Sequence, residues 1–287
     1  VNERFYWSER NGRRSAAPLS FTQVKQLFVV MVQQAAERGD LQEHFGYDCV
    51  DDDFVPGLLG SAIPERLLLD LGWEVSWPLT TSVGDWDEDA FFDLTEYMYD
   101  HVSRGRKETG RLHSYSDCGW HFTHFDALPA REQYRLELNR ILRRWAPGFE
   151  LSGAGEMLRT APTGLDSLHE SAPKLLSPNQ RALVDGAIHK YRARSSSSTD
   201  RRDAVRDLAD VLEHMRADVK RHMFSKDEGL LFQTANNFWI RHNDPDQRTD
   251  YDHDAWWSWL FYMYLSSIAL VTHLVERQEL ADAPEGA

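Results

Sequence analysis

Apolar residues recur at three- and four-residue steps through most of the chain, which predicts a mainly α protein. Ser20 caps a helix running to about Phe45, with Val24, Leu27, Phe28, Met31, Val32 and Ala35 as its inward stripe. Asp51, Asp52 and Asp53 make a turn before a second helix over 56–71. Charge complementarity at a helix start explains that acidic triplet more simply than a cation site does. Residues 73–79 alternate enough for a short strand. Residues 85–101 read as a helix, acidic at its start, with Phe91, Phe92, Leu94, Tyr97 and Met98 inward. A basic loop follows at 103–110, then a helix over 128–145, ended by Pro147-Gly148. Two short runs, 149–152 and 156–159, flank Gly153-Ala154-Gly155 and predict a small hairpin.

Together these segments make an α-rich N-terminal domain with a minor β hairpin, 1–172. The junction falls over 173–179. Beyond it the pattern gives helices at 181–194, 200–222, 226–243 and 254–278, with a polar serine loop at 195–198. Along the second of these, Ala204, Leu208, Val211, Leu212, Met215 and Val219 face inward. Four helices on short loops form a C-terminal bundle, 173–287. No internal repeat is visible. Residues 255–275 carry no acidic or basic charge apart from His273, and 21 residues can span a bilayer. Ser258, Ser266, Ser267, Thr272 and His273 interrupt the run, and its aromatics lie throughout rather than in two belts. A core helix, or one shared across a dimer, is therefore expected in place of a membrane span.

Charge changes this picture by its distribution. The net charge is −14, but residues 40–100 hold 16 acids and a single base, Arg66. The rest of the chain is thus about neutral. From Lys190 to Arg206 the sign reverses: Lys190, Arg192, Arg194, Arg201, Arg202 and Arg206 face only Asp200 and Asp203. Overall acidity argues against a protein that coats nucleic acid generally, while leaving room for RNA at a local basic site. The acidic half reads as solvated surface. Two cysteines are too few for a disulfide scaffold, and residues 1–14 are polar and charged, so a cytoplasmic protein without a signal peptide is expected.

The densest candidate chemistry is Asn236-Asn237-Phe238-Trp239-Ile240-Arg241-His242-Asn243-Asp244-Pro245. Leu230, Leu231, Ala235, Phe238 and Trp239 continue a helical spacing into it. Asp244 precedes proline and is pushed out of helical geometry, so the helix ends near Asn243. Asn237 and Arg241, four apart, share a face. Arg241 and His242 are adjacent, about 100° apart around the axis. They converge on one atom only if the helix ends there or a second subunit completes the site.

This region, about 177–278, resembles the HEPN superfamily (higher eukaryotes and prokaryotes nucleotide-binding domains), in particular the HEPN domains of bacterial abortive-infection proteins. The residues that carry the resemblance are Ala204-Val205-Arg206-Asp207-Leu208 through Val211-Leu212-Glu213, the 236–243 stretch and the aromatic last helix. The N-terminal part is similar to domains attached to such modules, through His121-Phe122 and the 149–158 hairpin. The resemblance implies a metal-independent endoribonuclease, a phage-defence or toxin-like effector working as a homodimer. The family pattern is an Arg followed by a polar residue, with a His four to six residues further on. Arg241 takes the Arg position and His242 the polar one, but the next candidate positions hold Asp246, Gln247 and Arg248. The catalytic imidazole is then His242 itself, or His253 folding back with Arg248. Alternatively the domain is a catalytically inactive module that binds nucleotide, RNA or a protein partner.

The implied chemistry needs no metal or cofactor. The RNA 2′-hydroxyl attacks the adjacent phosphorus, His242 moves the proton, and Arg241 holds the phosphate in a forked contact. Asn237 and Asn243 are suited to orienting phosphate or ribose, and Arg248 and His253 to binding substrate. The bland alternative pairs Arg241 with Asp244 or Asp250 to fix the loop. The expected partners are RNA, a second copy of the chain and a possible regulatory protein, with no membrane.

A competing constellation is His113, Cys118, His121, His124 and Asp126. Imidazoles and a thiol are good zinc ligands. His121 and His124 stand among Trp120, Phe122 and Phe125, however, and Cys-x-x-Cys spacing is missing, so a core turn without metal is the expectation. A glycine-rich phosphate loop, a G-x-S-x-G elbow and a dinucleotide fingerprint are all absent from the sequence.

Overall fold

The computed structural model describes residues 6–13, 17–79, 86–115, 118–162, 165, 168, 176–223, 226, 229, 231–234 and 252–282. The fold is mainly α with small hairpin strands, as the periodicity predicts. The chain divides into two compact units, Val1–Met157 and Leu158–Ala287. Residues 173–175 of the expected junction lie outside the described residues.

The first unit opens with a single turn, α1 (Trp7–Arg10), and then α2 (Phe21–Glu37). Ser20 caps α2 reciprocally: its Oγ accepts from Gln23 N–H at 3.3 Å while Gln23 Oε1 accepts from Ser20 N–H at 2.9 Å. Val24, Phe28, Met31, Val32 and Ala35 are buried, whereas Leu27 is 42% exposed. The helix does not continue to Phe45. Gly39, at φ +81°, takes a left-handed turn, and Asp40 N–H closes on Ala35 O. The chain restarts as the short α3 (Gln42–Phe45).

The acidic triplet is likewise not a helix start. It is the turn of a hairpin, β1 (Tyr47–Cys49) against β2 (Asp53–Val55), with Cys49 opposite Asp53. Helix α4 (Ile63–Leu71) follows. Residues 73–79 form no strand: Val75 and Leu79 are buried as alternation predicts, but among the described residues no strand pairs with them. Alternation reports burial, and a ladder also needs a partner and donors, one of which Pro78 lacks. Trp77 instead stacks on Phe45 at 4.2 Å between ring centroids.

Helix α5 (Glu88–His101) is capped by Asp87, whose carboxylate accepts from Ala90 N–H at 2.8 Å. A two-residue strand, β3 (Arg104–Gly105), a 3-10 turn at Lys107–Thr109 and a second hairpin follow. That hairpin joins β4 (Arg111–His113) to β5 (Gly119–His121), and β6 (Phe125–Asp126) then returns beside β3. Helix α6 (Ala127–Leu142) packs on α2 and α5. Phe28, Phe91, Leu94, Met98, Leu138 and Leu142 make the centre of this core. The predicted C-terminal hairpin is present as β7 (Phe149–Leu151) and β8 (Met157–Arg159).

The second unit contains α7 (Pro178–Arg192), α8 (Ser198–His214), α9 (Arg216–His222) and α10 (His253–Asp282). Residues 226, 229 and 231–234 are also helical. Ser197 and Asp200 form a capping box at the start of α8, with bonds of 3.1 and 2.9 Å. The expected single helix over 200–222 is broken at Met215, whose φ of −90° and ψ of 9° leave helical geometry. The inward stripe Ala204, Leu208, Val211, Leu212, Met215 and Val219 is nonetheless buried throughout. Helix α8 packs between α7 and α10.

By length and composition α10 could cross a membrane. In this unit Trp257, Leu260, Phe261, Tyr264, Leu265, Ile268 and Val271, at three- and four-residue steps, form one buried face of it.

Two tests follow from the first unit. A methyl group at Gly105 would collide with the Phe122 ring, and one at Gly110 would come within 2.8 Å of it. Gly105→Ala is therefore an overpacking change, expected to cost about 1–3 kcal/mol in denaturant titrations. Gly60→Ala, which meets open space, should cost less, through its φ of +82° alone. Glu96 accepts from Met157 N–H at 2.6 Å. Burial raises its carboxyl above the ordinary range, outweighing that bond. A raised acid contributes stability below the unfolded-state value and loses it as pH rises through the folded one. Glu96→Gln keeps the acceptor and removes the charge. It should melt above wild type at pH 7, with the gain shrinking toward pH 4.

Candidate functional site

Of the residues expected to act on RNA, Asn237, Arg241, His242, Asn243 and Arg248 lie outside the described residues, and so do Asp244 and Asp250. His253 is described. It is the exposed first residue of α10, its ring 5.0 Å from that of Trp257. Ala255 N–H donates to Asp252 Oδ1 at 3.1 Å, which fixes where this helix starts.

Both flanks of the expected catalytic stretch belong to one core. Leu231 and Phe232 on one side, and Trp257 and Leu260 on the other, are buried in the same cluster with Leu208 and Leu212 of α8. Arg216 lies over the Phe232 ring at 4.4 Å and pairs with Glu213. At the other flank Arg201, in the first turns of α8, reaches Asp254 at 3.3 Å. The basic run identified in the sequence thus stands beside the start of α10. Within it Lys190 binds Asp207 at 2.5 Å, Arg202 pairs with Asp203 at 3.3 Å, and Arg206 is exposed.

The competing constellation in the first unit is drawn together differently from the sequence reading. His113 and His121 end the two strands of the β4–β5 hairpin. Their pairing, His113 with Gly119 and Arg111 with His121, puts both imidazoles on one face as diagonal neighbours. The ring centroids are 5.5 Å apart. Cys118 enters just before β5, its Sγ 3.2 Å from His121 Nε2. The fourth member is Cys49, at the end of β1, buried, with Sγ 3.8 Å from His113 Nδ1.

The four donor atoms all lie within 4.8 Å of one another. His113 also turns its Nε2 to Asp51 at 3.4 Å. The Tyr47 ring packs on that of His121 at 4.3 Å between centroids. Burial, and then the neighbouring His113, push His121 below its usual value, which favours the neutral imidazole.

His124 and Asp126 belong elsewhere. His124 contacts Thr123 Oγ1 at 3.1 Å, and Asp126 caps α6 through Leu128 N–H at 3.2 Å. Cys49 escaped the sequence reading because it lies 64 positions from His113 and follows no local spacing. Its one trace in the sequence is its place beside the acidic triplet, which reads there as a turn before a helix and which the structure makes the turn of a hairpin.

Comparison of the chain with protein-family models, curated proteins and solved structures yields no match.

Proposed function

We propose that the second unit is a HEPN-like, RNA-cleaving effector that acts as a homodimer in the cytoplasm, with Arg241 and His242 as its reacting groups. The observation that carries this reading is the anchoring of the stretch. The described residues on either side of the segment that holds Asn236, Asn237, Arg241, His242 and Asn243 pack in one core, Leu231 and Phe232 before it and Trp257 and Leu260 after it, and α10 begins beside Arg201. Rigid flanks are what a site needs when its catalysis is positioning and charge stabilisation. Arg206 in the first turns of α8 is exposed, and Arg201 and Arg202 beside it, each paired with a carboxylate, are further guanidiniums that a phosphate could engage.

In this reading Arg241 binds the scissile phosphate through two parallel N–H donors and stabilises the charge that builds on its oxygens. His242 accepts the 2′-hydroxyl proton, the 2′ oxygen bonds to phosphorus as the P–O5′ bond breaks, and the departing 5′ oxygen takes a proton from water, leaving a cyclic phosphate and a free 5′-hydroxyl. Asn237, Asn243, Arg248 and His253 hold the neighbouring phosphates and riboses. A positioned general base of this kind contributes about 10²–10⁴ in rate.

Purified full-length chain incubated with total RNA in magnesium-free buffer should cut it and leave 2′,3′-cyclic phosphate ends. Arg241→Ala should reduce cleavage at least about 100-fold while leaving melting unchanged. Intact RNA with retained binding would instead identify an inactive binding module.

A further inference from the structure

Cys49, His113, Cys118 and His121 come from two separate hairpins, yet their donor atoms converge within 4.8 Å. We propose that they form a structural Zn²⁺ site, Cys₂His₂, that fastens the β1–β2 hairpin to the β4–β5 hairpin. This inference concerns the first unit and stands independently of any ribonuclease activity in the second.

The geometry fits zinc in four respects. The first is distance. Tetrahedral zinc, with Zn–S about 2.3 Å and Zn–N about 2.0–2.1 Å, places its ligand atoms about 3.3–3.8 Å apart. The Cys118–His121 and Cys49–His113 separations are 3.2 and 3.8 Å. The second is donor type. Two thiolates and two imidazoles in a tetrahedral set select zinc over the hard, oxygen-preferring cations. Bound thiolates also balance the ion's charge, so the closed site is neutral.

The third is the arrangement around the ligands. His113 presents Nδ1 to the cluster and Nε2 to Asp51, the carboxylate–histidine–metal relay that fixes a ligating ring and its tautomer. Tyr47 packs against the other imidazole. The fourth is need. Each hairpin has two three-residue strands, and a two-stranded hairpin alone is marginal in water. The β4–β5 strands supply little core of their own: Leu112 and Trp120 are exposed. A metal closing the long loop between Cys49 and His113 restricts the unfolded chain and offsets that deficit.

A Cys49–Cys118 disulfide would use the two sulfurs and leave the convergence of His113 and His121 without purpose. Four protein ligands leave no open position, so the site is structural rather than catalytic.

The full-length chain, purified under reducing conditions without chelator, should carry about one zinc per chain by elemental analysis. Reduced metal-free chain titrated with Co²⁺ should develop the visible absorption of a tetrahedral, thiolate-bearing centre. Cys49→Ser and His113→Gln should each lose the metal, and Asp51→Asn should weaken zinc binding about 10-fold. His124→Gln, outside the cluster, should keep full zinc content. Three results would overturn the proposal. One is a wild-type chain that neither retains zinc nor gives the cobalt spectrum. Another is unchanged zinc content in the Cys49→Ser/His113→Gln double variant. The last is a Cys49–Cys118 disulfide found by mass spectrometry in the reduced preparation. The cobalt titration uses wild-type chain, so the test does not depend on the variants folding.

Discussion

The carboxylate of Asp40 is the constraint on which the first unit turns. It is 2% exposed, and burying a charge is costly unless partners surround it. Arg38 Nε donates to it at 2.9 Å, and Arg104 donates twice at 3.1 Å. The two arginines reach on to α6: Arg104 to Gln133 at 2.6 Å, Arg38 to Glu137 at 3.4 Å. Ser103 N–H donates to the Asp40 carbonyl at 2.8 Å. One residue just past α2 thereby fixes where β3 begins and which face of α6 it meets. Removing one side of such a network leaves a buried charge unpaired, which costs more than the intact pair contributes.

That placement passes to the His/Cys cluster. Strand β3 pairs with β6, and the β4–β5 hairpin is the excursion between them. Phe122, one residue beyond β5, lies against Gly105, Gly110 and Gly39, where side chains would collide or crowd. Gln42 of α3 holds the hairpin by donating to Trp120 O at 2.7 Å and accepting from Phe122 N–H at 3.3 Å. The base of the hairpin is thus positioned by backbone contacts and one aromatic plug. Its tip, with His113 and Cys118, lacks an apolar core, and it meets Cys49 there. The approach of four soft donors to a common point is what remains to hold the tip.

Much of this was legible in the sequence, and the parts that were not share a cause. Helix spans, their inward stripes and the Ser20 cap follow from local spacing, which is where short-range physics decides the outcome. The 149–159 hairpin was legible through its glycines. The turn at Gly39 and the break at Met215 were not, because apolar periodicity runs through both while backbone dihedrals interrupt the helix. The 73–79 segment shows the converse, with strand-like burial and no ladder. Cys49 could not be found at all by spacing, since it joins the cluster through tertiary contact. The acidic triplet was read as helix-start charge, and its role as a hairpin turn that presents Cys49 and Asp51 emerges only in three dimensions.

The two units solve the stability problem by different means, and this bears on where each can carry chemistry. The second unit buries Tyr264, Phe261, Leu265 and Ile268 along a helix that also exposes Trp256, Trp259 and Leu270. Its buried face joins the core while those three side chains leave apolar surface outside it. The first unit has its surplus in α2, α5 and α6 and a deficit at the β4–β5 hairpin, where Leu112 and Trp120 are exposed. A metal placed there would act on folding, because the ligands are recruited from strands too short to persist alone. Electrostatics follows the same division. Asp51 stands 3.4 Å from His113 and puts negative charge beside the thiol and imidazole donors, which favours a cation, while Arg206 of α8 is an exposed guanidinium.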